Sequence, residues 1–409
     1  MEVLQEVCET SHEVVKETST NSWKNWYEKL PIKPIDILNI ILIMGYLQSW
    51  MYVDFVEYLG LGWDIFLIQG VCTAGMLLVS AYYFITNKIE KKPHNWALIA
   101  LISLMVISNL WSYSPNRGGM HELVIFLIYA IYLKNKYSTK QFLYLFTCLF
   151  LTVTALSIWY MKVYGELKLQ DGFMWQGMFG HKNTLGMAMG MGITMTLIFL
   201  LNYKHRLINT ILLIILIVIE SYVLLKSVSV TSYLATIMAV ALVVKHKFFP
   251  IKHIWWYIVA FIFGGFILVF FHQIVSQPIA MLTGKSPTFT GRTVIWDICK
   301  EYFYQRPWFG YGYNGIWSRP ELLEKVSTTL SEWLTETHNS LFDIILQFGV
   351  VGLGLYILTL KKFCDKVKNN ENDVLLFLIV ALLIFLGYGE VVPISFNSPY
   401  LIIFLYCVL

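Results

Sequence analysis

Residues 184–202, TLGMAMGMGITMTLIFLLN, decide the fold class. They run for 19 residues without a charge, and at 1.5 Å per residue such a helix matches the roughly 30 Å hydrocarbon core of a bilayer. Gly186, Gly190 and Gly192 permit the close helix packing that lipid-embedded helices use, and they do not require a pore. Outward from this segment the pattern repeats. Apolar segments fall at 35–51, 63–85, 96–112, 120–134, 142–162, 184–202, 207–226, 230–246, 254–272, 338–360, 374–388 and 393–409. The count is about twelve transmembrane helices, or eleven if the last two form a re-entrant pair. Composition agrees: 57% of the 409 residues are hydrophobic and 14% charged, where a soluble domain carries about 25% charged residues. The chain reads as an all-α polytopic membrane protein.

The boundaries follow. A cytoplasmic N-terminal segment occupies 1–34, spans one to nine 35–272, one long helical extracytoplasmic loop 273–337, and spans ten to twelve 338–409. Residues 1–20 are acidic and lack the basic and apolar regions of a cleavable signal peptide. Trp23, Trp26, Tyr27 and Leu30, at helical spacing behind Ser22, suggest an interfacial amphipathic helix; a partly ordered tail is the plainer alternative. With the N-terminus inside, 19 basic residues face the cytoplasm and 11 the outside, six of them in the long loop. Basic residues collect on the cytoplasmic side, so both termini are expected inside. In the long loop, Ile295, Ile298, Cys299 and Tyr302 predict a helix over 292–305, and a second should start behind Ser318 with Pro320 in its first turn. The six cysteines include no CxxC pair, so neither a disulfide framework nor a zinc site is supported. A net charge of +4 gives no ground for a nucleic-acid partner.

Of the 30 Lys and Arg residues five are arginine, and four of these (Arg117, Arg292, Arg306 and Arg319) fall outside. A guanidinium grips phosphate bidentately where an ammonium acts as a point charge. Arginines gathered at the outer leaflet therefore suggest recognition of a headgroup phosphate, against the plainer reading of snorkelling or salt bridges to Asp297, Glu301 or Glu321. Two segments strengthen the phosphate reading: His181-Lys182-Asn183-Thr184 at the outer start of the sixth span, and Thr337-His338-Asn339-Ser340 at that of the tenth. Helix N-termini favour anions and disfavour an imidazolium, so a neutral His338, suited to a general base, is expected. Either segment alone is as readily a structural helix end. Glu220, inside the seventh span, is a functional candidate or a hydrogen-bonded structural carboxyl. Glu390, between the last two segments, has the same ambiguity. His121-Glu122, near Arg117, reads as an acceptor-side contact.

These residues also carry a family resemblance. Gly180-His181-Lys182-Asn183-Thr184-Leu185-Gly186 resembles the HKN motif of bacterial exopolysaccharide polymerases. Gly291-Arg292-Thr293-Val294-Ile295-Trp296, followed by Arg306-Pro307-Trp308-Phe309-Gly310-Tyr311-Gly312, resembles their outer-loop signature. Thr337-His338-Asn339-Ser340, with Gln347-Phe348-Gly349-Val350-Val351-Gly352 after it, and Trp111-Ser112-Tyr113-Ser114-Pro115 complete the set. Together they resemble the O-antigen ligase and Wzy-type polymerase superfamily. The resemblance implies a GT-C-like glycosyltransferase of the bacterial plasma membrane, using no metal, nucleotide sugar or other cofactor. It implies an undecaprenyl-pyrophosphate-linked glycan as donor, a glycan as acceptor, and flippase and chain-length regulator proteins as partners. His338 would deprotonate or orient the acceptor hydroxyl. Arg292 would hold the pyrophosphate with Lys182 as a second cation, and His181, Asn183 and Asn339 would orient the substrates. Many members carry an arginine where Val230 stands here, so Lys226 or Lys182 would substitute. Arg306, Arg117 and Glu220 complete the expected substrate-binding set. The HKN form leans towards a polymerase; ligase transfer to a lipid, protein or wall acceptor is the alternative, and a transporter or flippase a more distant one. Transporters place binding groups near the midplane, whereas these polar groups gather at one face.

Overall fold

The computed structural model describes residues 32–47, 65–89, 95–115, 117–165, 169–274, 281, 291–330, 336–367, 371–392 and 398–409. The N-terminal amphipathic segment at 22–30 lies outside them. Helices α1 (Pro34–Leu47), α2 (Ile65–Thr86), α3 (Trp96–Ile107), α4 (Arg117–Lys136) and α5 (Thr139–Tyr164) come first. A short antiparallel ribbon follows, β1 (Leu169–Gln170) paired with β2 (Met174–Trp175). Then come α6 (Lys182–Asn202), α7 (Leu207–Ser227), α8 (Val230–Phe248) and α9 (Ile254–Phe270), and after them α10 (Arg292–Gln305) and α11 (Pro320–Leu330). The chain closes with α12 (Ser340–Val367), α13 (Glu371–Leu386) and α14 (Pro399–Val408).

Among the described residues six helices are long and apolar enough to cross a membrane: α2, α5, α6, α7, α8 and α12. The chain is a polytopic membrane protein. The other apolar segments also form helices; α1, α3, α9, α13 and α14 are shorter, and α4 carries charge at both ends. Helix α6, the segment 184–202, is buried on almost every side between α5, α7, α8 and α13. Its glycines explain how. A Cβ at Gly186 would lie 2.7 Å from Ser232 Oγ of α8, and Gly190 and Gly192 meet Thr236 and Glu220 as closely. Helix α7 behaves oppositely: Leu207, Ile208, Leu212, Ile215 and Val218 are exposed, as an outer lipid-facing helix requires. Helices α13 and α14 are buried all round and pack on each other at the bundle centre.

One break in regularity positions the site. Within α12, Gly349 adopts φ 66°, ψ −165°, a region essentially restricted to glycine. Leu346 O and Gln347 O, which would accept from Val350 N and Val351 N in a straight helix, accept instead from Tyr311 N (3.0 Å) and Gly312 N (2.8 Å). Val350 N and Val351 N donate to Pro307 O (2.8 Å) and Trp308 O (3.2 Å). Four bonds to the loop replace two of the helix, so the four helix groups that the kink releases all find partners. The Arg306–Gly312 and Gln347–Gly352 motifs are thus two halves of one docking joint. It fixes the loop bearing α10 and α11 against the bundle.

Candidate functional site

The starts of α6, α8 and α12, the start of α10 and the turn after α13 lie at one end of the bundle, and Glu390 sits where they meet. Glu390 is 7% exposed, yet both its oxygens are used. Oε1 accepts from Arg292 Nη2 at 3.0 Å and from Asn183 Nδ2 at 2.7 Å, while Oε2 faces His338 Nδ1 at 3.4 Å. Glu336 Oε1 stands 2.9 Å from the same Nδ1. Arg292 Nη1 also donates to Thr231 Oγ1 at 3.2 Å, in the first turn of α8 beside Val230.

The local sequence explains these placements. Arg292 opens α10 behind Gly291, whose φ of 84° reverses the chain. Trp296, one turn on and buried, donates its indole N–H to Thr337 O at 2.9 Å, tying α10 to the segment that carries His338. Ser340 N donates to Gly387 O at 2.8 Å, and its Oγ bonds Glu390 O (2.9 Å) and Val392 N (2.6 Å). The turn presenting Glu390 is therefore pinned to the start of α12. His338 itself has φ 52°, an uncommon conformation in which the surrounding bonds must hold it.

The electrostatics correct one expectation. Burial alone would lower the His338 pKa, but the hydrogen bonds and charges of Glu336 and Glu390 outweigh it and push it up to about 9. The resting form at neutral pH is the imidazolium, where the helix terminus had suggested a neutral ring. The helix-end field is real, but two carboxyl groups within 3.4 Å are closer and outweigh it. Burial likewise works against charge on Glu390, yet His338 and Arg292 hold its carboxyl below the usual range. His181 moves the other way, lowered chiefly by burial.

The other expected residues divide. Asn183 reaches Glu390. His181 caps α6, its Nδ1 accepting from Asn183 N at 3.2 Å, and it lies within electrostatic reach of Glu390 and His338. Lys182, beside it, reaches Met174 Sδ of the ribbon at 2.7 Å. Asn339 is fully buried: Oδ1 accepts from Phe342 N (3.1 Å) and Nδ2 donates to Tyr388 O (3.4 Å). That makes it a helix cap rather than a group facing a substrate. Arg306 lies over the Tyr311 ring at 5.2 Å, and Arg319 covers the same ring at 4.9 Å. Lys226 is exposed over Tyr222 and Trp175 at 5.5 and 6.0 Å. Glu220 is buried within the bundle against Gly192, its two oxygens without hydrogen-bond partners among the described residues. None of these last four joins the Glu390 cluster. Glu122 pairs with Tyr46 OH at 3.4 Å. Arg117 begins α4, and its side chain lies outside the described residues.

Glu336 and Thr231 carry no sequence signal that separates them from neighbouring loop and helix residues. Glu390 does: it is the single Asp, Glu, Lys, Arg or His between 374 and 409, and an isolated charge in an apolar stretch needs a partner. Glu336, His338 and Glu390 place one ligand atom each within 4.8 Å of one another. Arg292 and the imidazolium already take up those carboxylate oxygens, so the donor set fits an internal ion-pair cluster better than a chelated cation.

No curated protein matches the chain. Residues 173–357, which hold every site residue named above except those around Glu390, Glu122 and Arg117, match the model of the O-antigen ligase family. Over that stretch, somewhat under half of its length, the chain is similar to the O-antigen ligase family, which supports the O-antigen ligase and Wzy-type superfamily of membrane glycan ligases and polymerases.

Proposed function

We propose that the protein is a metal-independent membrane glycosyltransferase that polymerises undecaprenyl-pyrophosphate-linked repeat units into capsular polysaccharide or exopolysaccharide. One observation carries it: Arg292, His338 and Asn183, from three separate segments, converge on Glu390 at one end of an apolar bundle. All twelve apolar helices span the membrane in a GT-C-like arrangement. The site end faces outward and both termini inward, because Lys134, Lys136, Lys204, Arg206, Lys245 and Lys247 collect at the opposite end.

Transfer breaks the bond between the donor anomeric carbon and the diphosphate oxygen, and forms one to an acceptor hydroxyl oxygen. Negative charge grows on the leaving diphosphate. Fixed cations aimed there lower the barrier because they need no reorganisation during the reaction. Arg292 grips the diphosphate and Lys182 adds a second positive charge. His338 assists attack by orienting the acceptor hydroxyl and, as an imidazolium, stabilises the charge. The hydroxyl proton passes to Glu336, the half-exposed carboxylate 2.9 Å from His338.

Ligase-type transfer of a finished glycan to a separate acceptor is the second reading, favoured by the description of the matching family. Purified protein incubated with an undecaprenyl-pyrophosphate oligosaccharide separates the two. We expect a ladder of products; one transfer to an added acceptor would establish the ligase, and movement of intact lipid-linked substrate across vesicles a flippase. His338→Ala should remove product while leaving folded protein. Arg292→Ala should lower transition-state stabilisation by about 100-fold or more, with Arg292→Lys restoring part of it. Full activity in either alanine variant would refute the assigned role.

A further inference from the structure

We propose that Glu390 is the positioning residue of this site: its carboxylate aims the Arg292 guanidinium and clamps His338 and Asn183 beside it. The inference rests on the glycosyltransferase reading and extends it to a residue beyond the stretch 173–357 that matches the family.

Glu390 cannot itself meet a substrate readily. Its side chain is 9% exposed, against 18% for Arg292 and 22% for His338, so it lies beneath the groups it holds. A guanidinium has five N–H donors in a rigid plane. Glu390 engages Nη2 and Thr231 engages Nη1, which fixes the plane and leaves further donors for a diphosphate. Without the carboxylate, Arg292 would retain the Thr231 contact and turn about it. Gly389 serves the same packing: a Cβ there would stand 2.8 Å from Arg292 Nη1. On the imidazole side, Oε2 and Glu336 flank one nitrogen of His338 and leave the other ring nitrogen out of that clamp. The basic side chains facing Glu390 are Arg292 from α10, His338 ahead of α12 and His181 at the start of α6. Lys182 and Glu336 lie one step further out, within electrostatic reach of His181. Arg292 and His338 face two carboxyl groups, Glu390 and Glu336, so the excess positive charge offered to an anionic donor comes from Lys182 beside them.

The arrangement also links Glu390 to a measurable proton. An opposite charge at hydrogen-bond distance favours the imidazolium, so removing it should let His338 titrate earlier.

The test compares full-length wild type, Glu390→Gln and Glu390→Asp. Isotope-labelled histidine NMR, assigned with His338→Gln, should show the His338 midpoint falling by about one pH unit or more in Glu390→Gln. It should stay near the wild-type value in Glu390→Asp. With an undecaprenyl-pyrophosphate oligosaccharide, Glu390→Gln should lose about 100-fold in kcat, with the alkaline limb of its pH profile displaced downward, and Glu390→Asp should recover part of the rate. A merely structural role would lower active protein without moving the limb. An unmoved midpoint, or wild-type kcat and pH profile in Glu390→Gln, would overturn the proposal. If the midpoint moves but wild-type protein transfers no glycan, the glycosyltransferase reading fails and the clamp stands. Should Glu390→Gln not fold, Glu390→Asp decides: wild-type kcat with the shortened side chain overturns the clamp, and a lowered kcat per folded protein with the alkaline limb held near its wild-type place supports it.

Discussion

At the scale of single residues, His338 couples the fold to pH. Its pKa is raised from 6.5 to about 9 in the folded chain. A group whose folded pKa lies above its unfolded one adds stability that is complete below the unfolded value and lost as pH rises through the folded one. Glu390 has the opposite sign: its pKa is held below 4.5, so its contribution is present above that value and fades as pH falls. We expect the thermal stability of purified protein to fall as pH rises from about 6.5 towards about 9. His338→Gln should remove much of that slope. Equal slopes in the two proteins would mean that the imidazolium contributes nothing to folding. The charge state could not be read from sequence, since the helix start is local whereas Glu390 lies 52 residues away.

Among the elements, α12 determines how the segment bearing α10 and α11 meets the bundle. The glycine in Gln347-Phe348-Gly349 reads in sequence as one more small residue in a helix. In the structure it is where the helix gives up two of its own hydrogen bonds to the segment Pro307–Gly312. A side chain there would meet the Trp308 carbonyl as well as a forbidden backbone region. Gly349→Ala should therefore destabilise the protein by about 1–3 kcal/mol from backbone strain alone. It should also lower activity, through loss of the register between α10 and α12. An unchanged melting temperature would show that the kink is not held by glycine. The same joint explains Arg306: its motif builds the joint, and its guanidinium covers Tyr311 at 5.2 Å. Local patterns were otherwise reliable. Helix α10 occupies Arg292–Gln305 and α11 starts at Pro320, as apolar spacing and the proline indicated, because both elements bury one clear face.

Across the whole molecule, the separation of its two ends is the feature to test. A membrane-impermeant maleimide applied to intact cells should label Thr329→Cys, exposed on α11, and leave Lys204→Cys, exposed between α6 and α7, unlabelled until the cells are opened. The buried native cysteines Cys72, Cys299, Cys364 and Cys407 should give little background. Reversed labelling would put the site in the cytoplasm and remove the proposed reaction from reach of an outer-leaflet donor.

By itself the sequence determined that this chain forms apolar helices, where most begin and end, and that polar motifs collect at one end. Those properties are local: twenty uncharged residues must be helical in lipid, since every backbone polar group needs a partner within its own segment. Only the tertiary structure decided which motif residues touch. It gave Asn339 to a helix cap and Arg306 to a joint, left Glu220 and Lys226 away from the cluster, and brought Arg292, His338 and Asn183 onto Glu390. Side-chain pairing between remote segments depends on how helices rotate and kink against one another. No periodicity within a single segment records that.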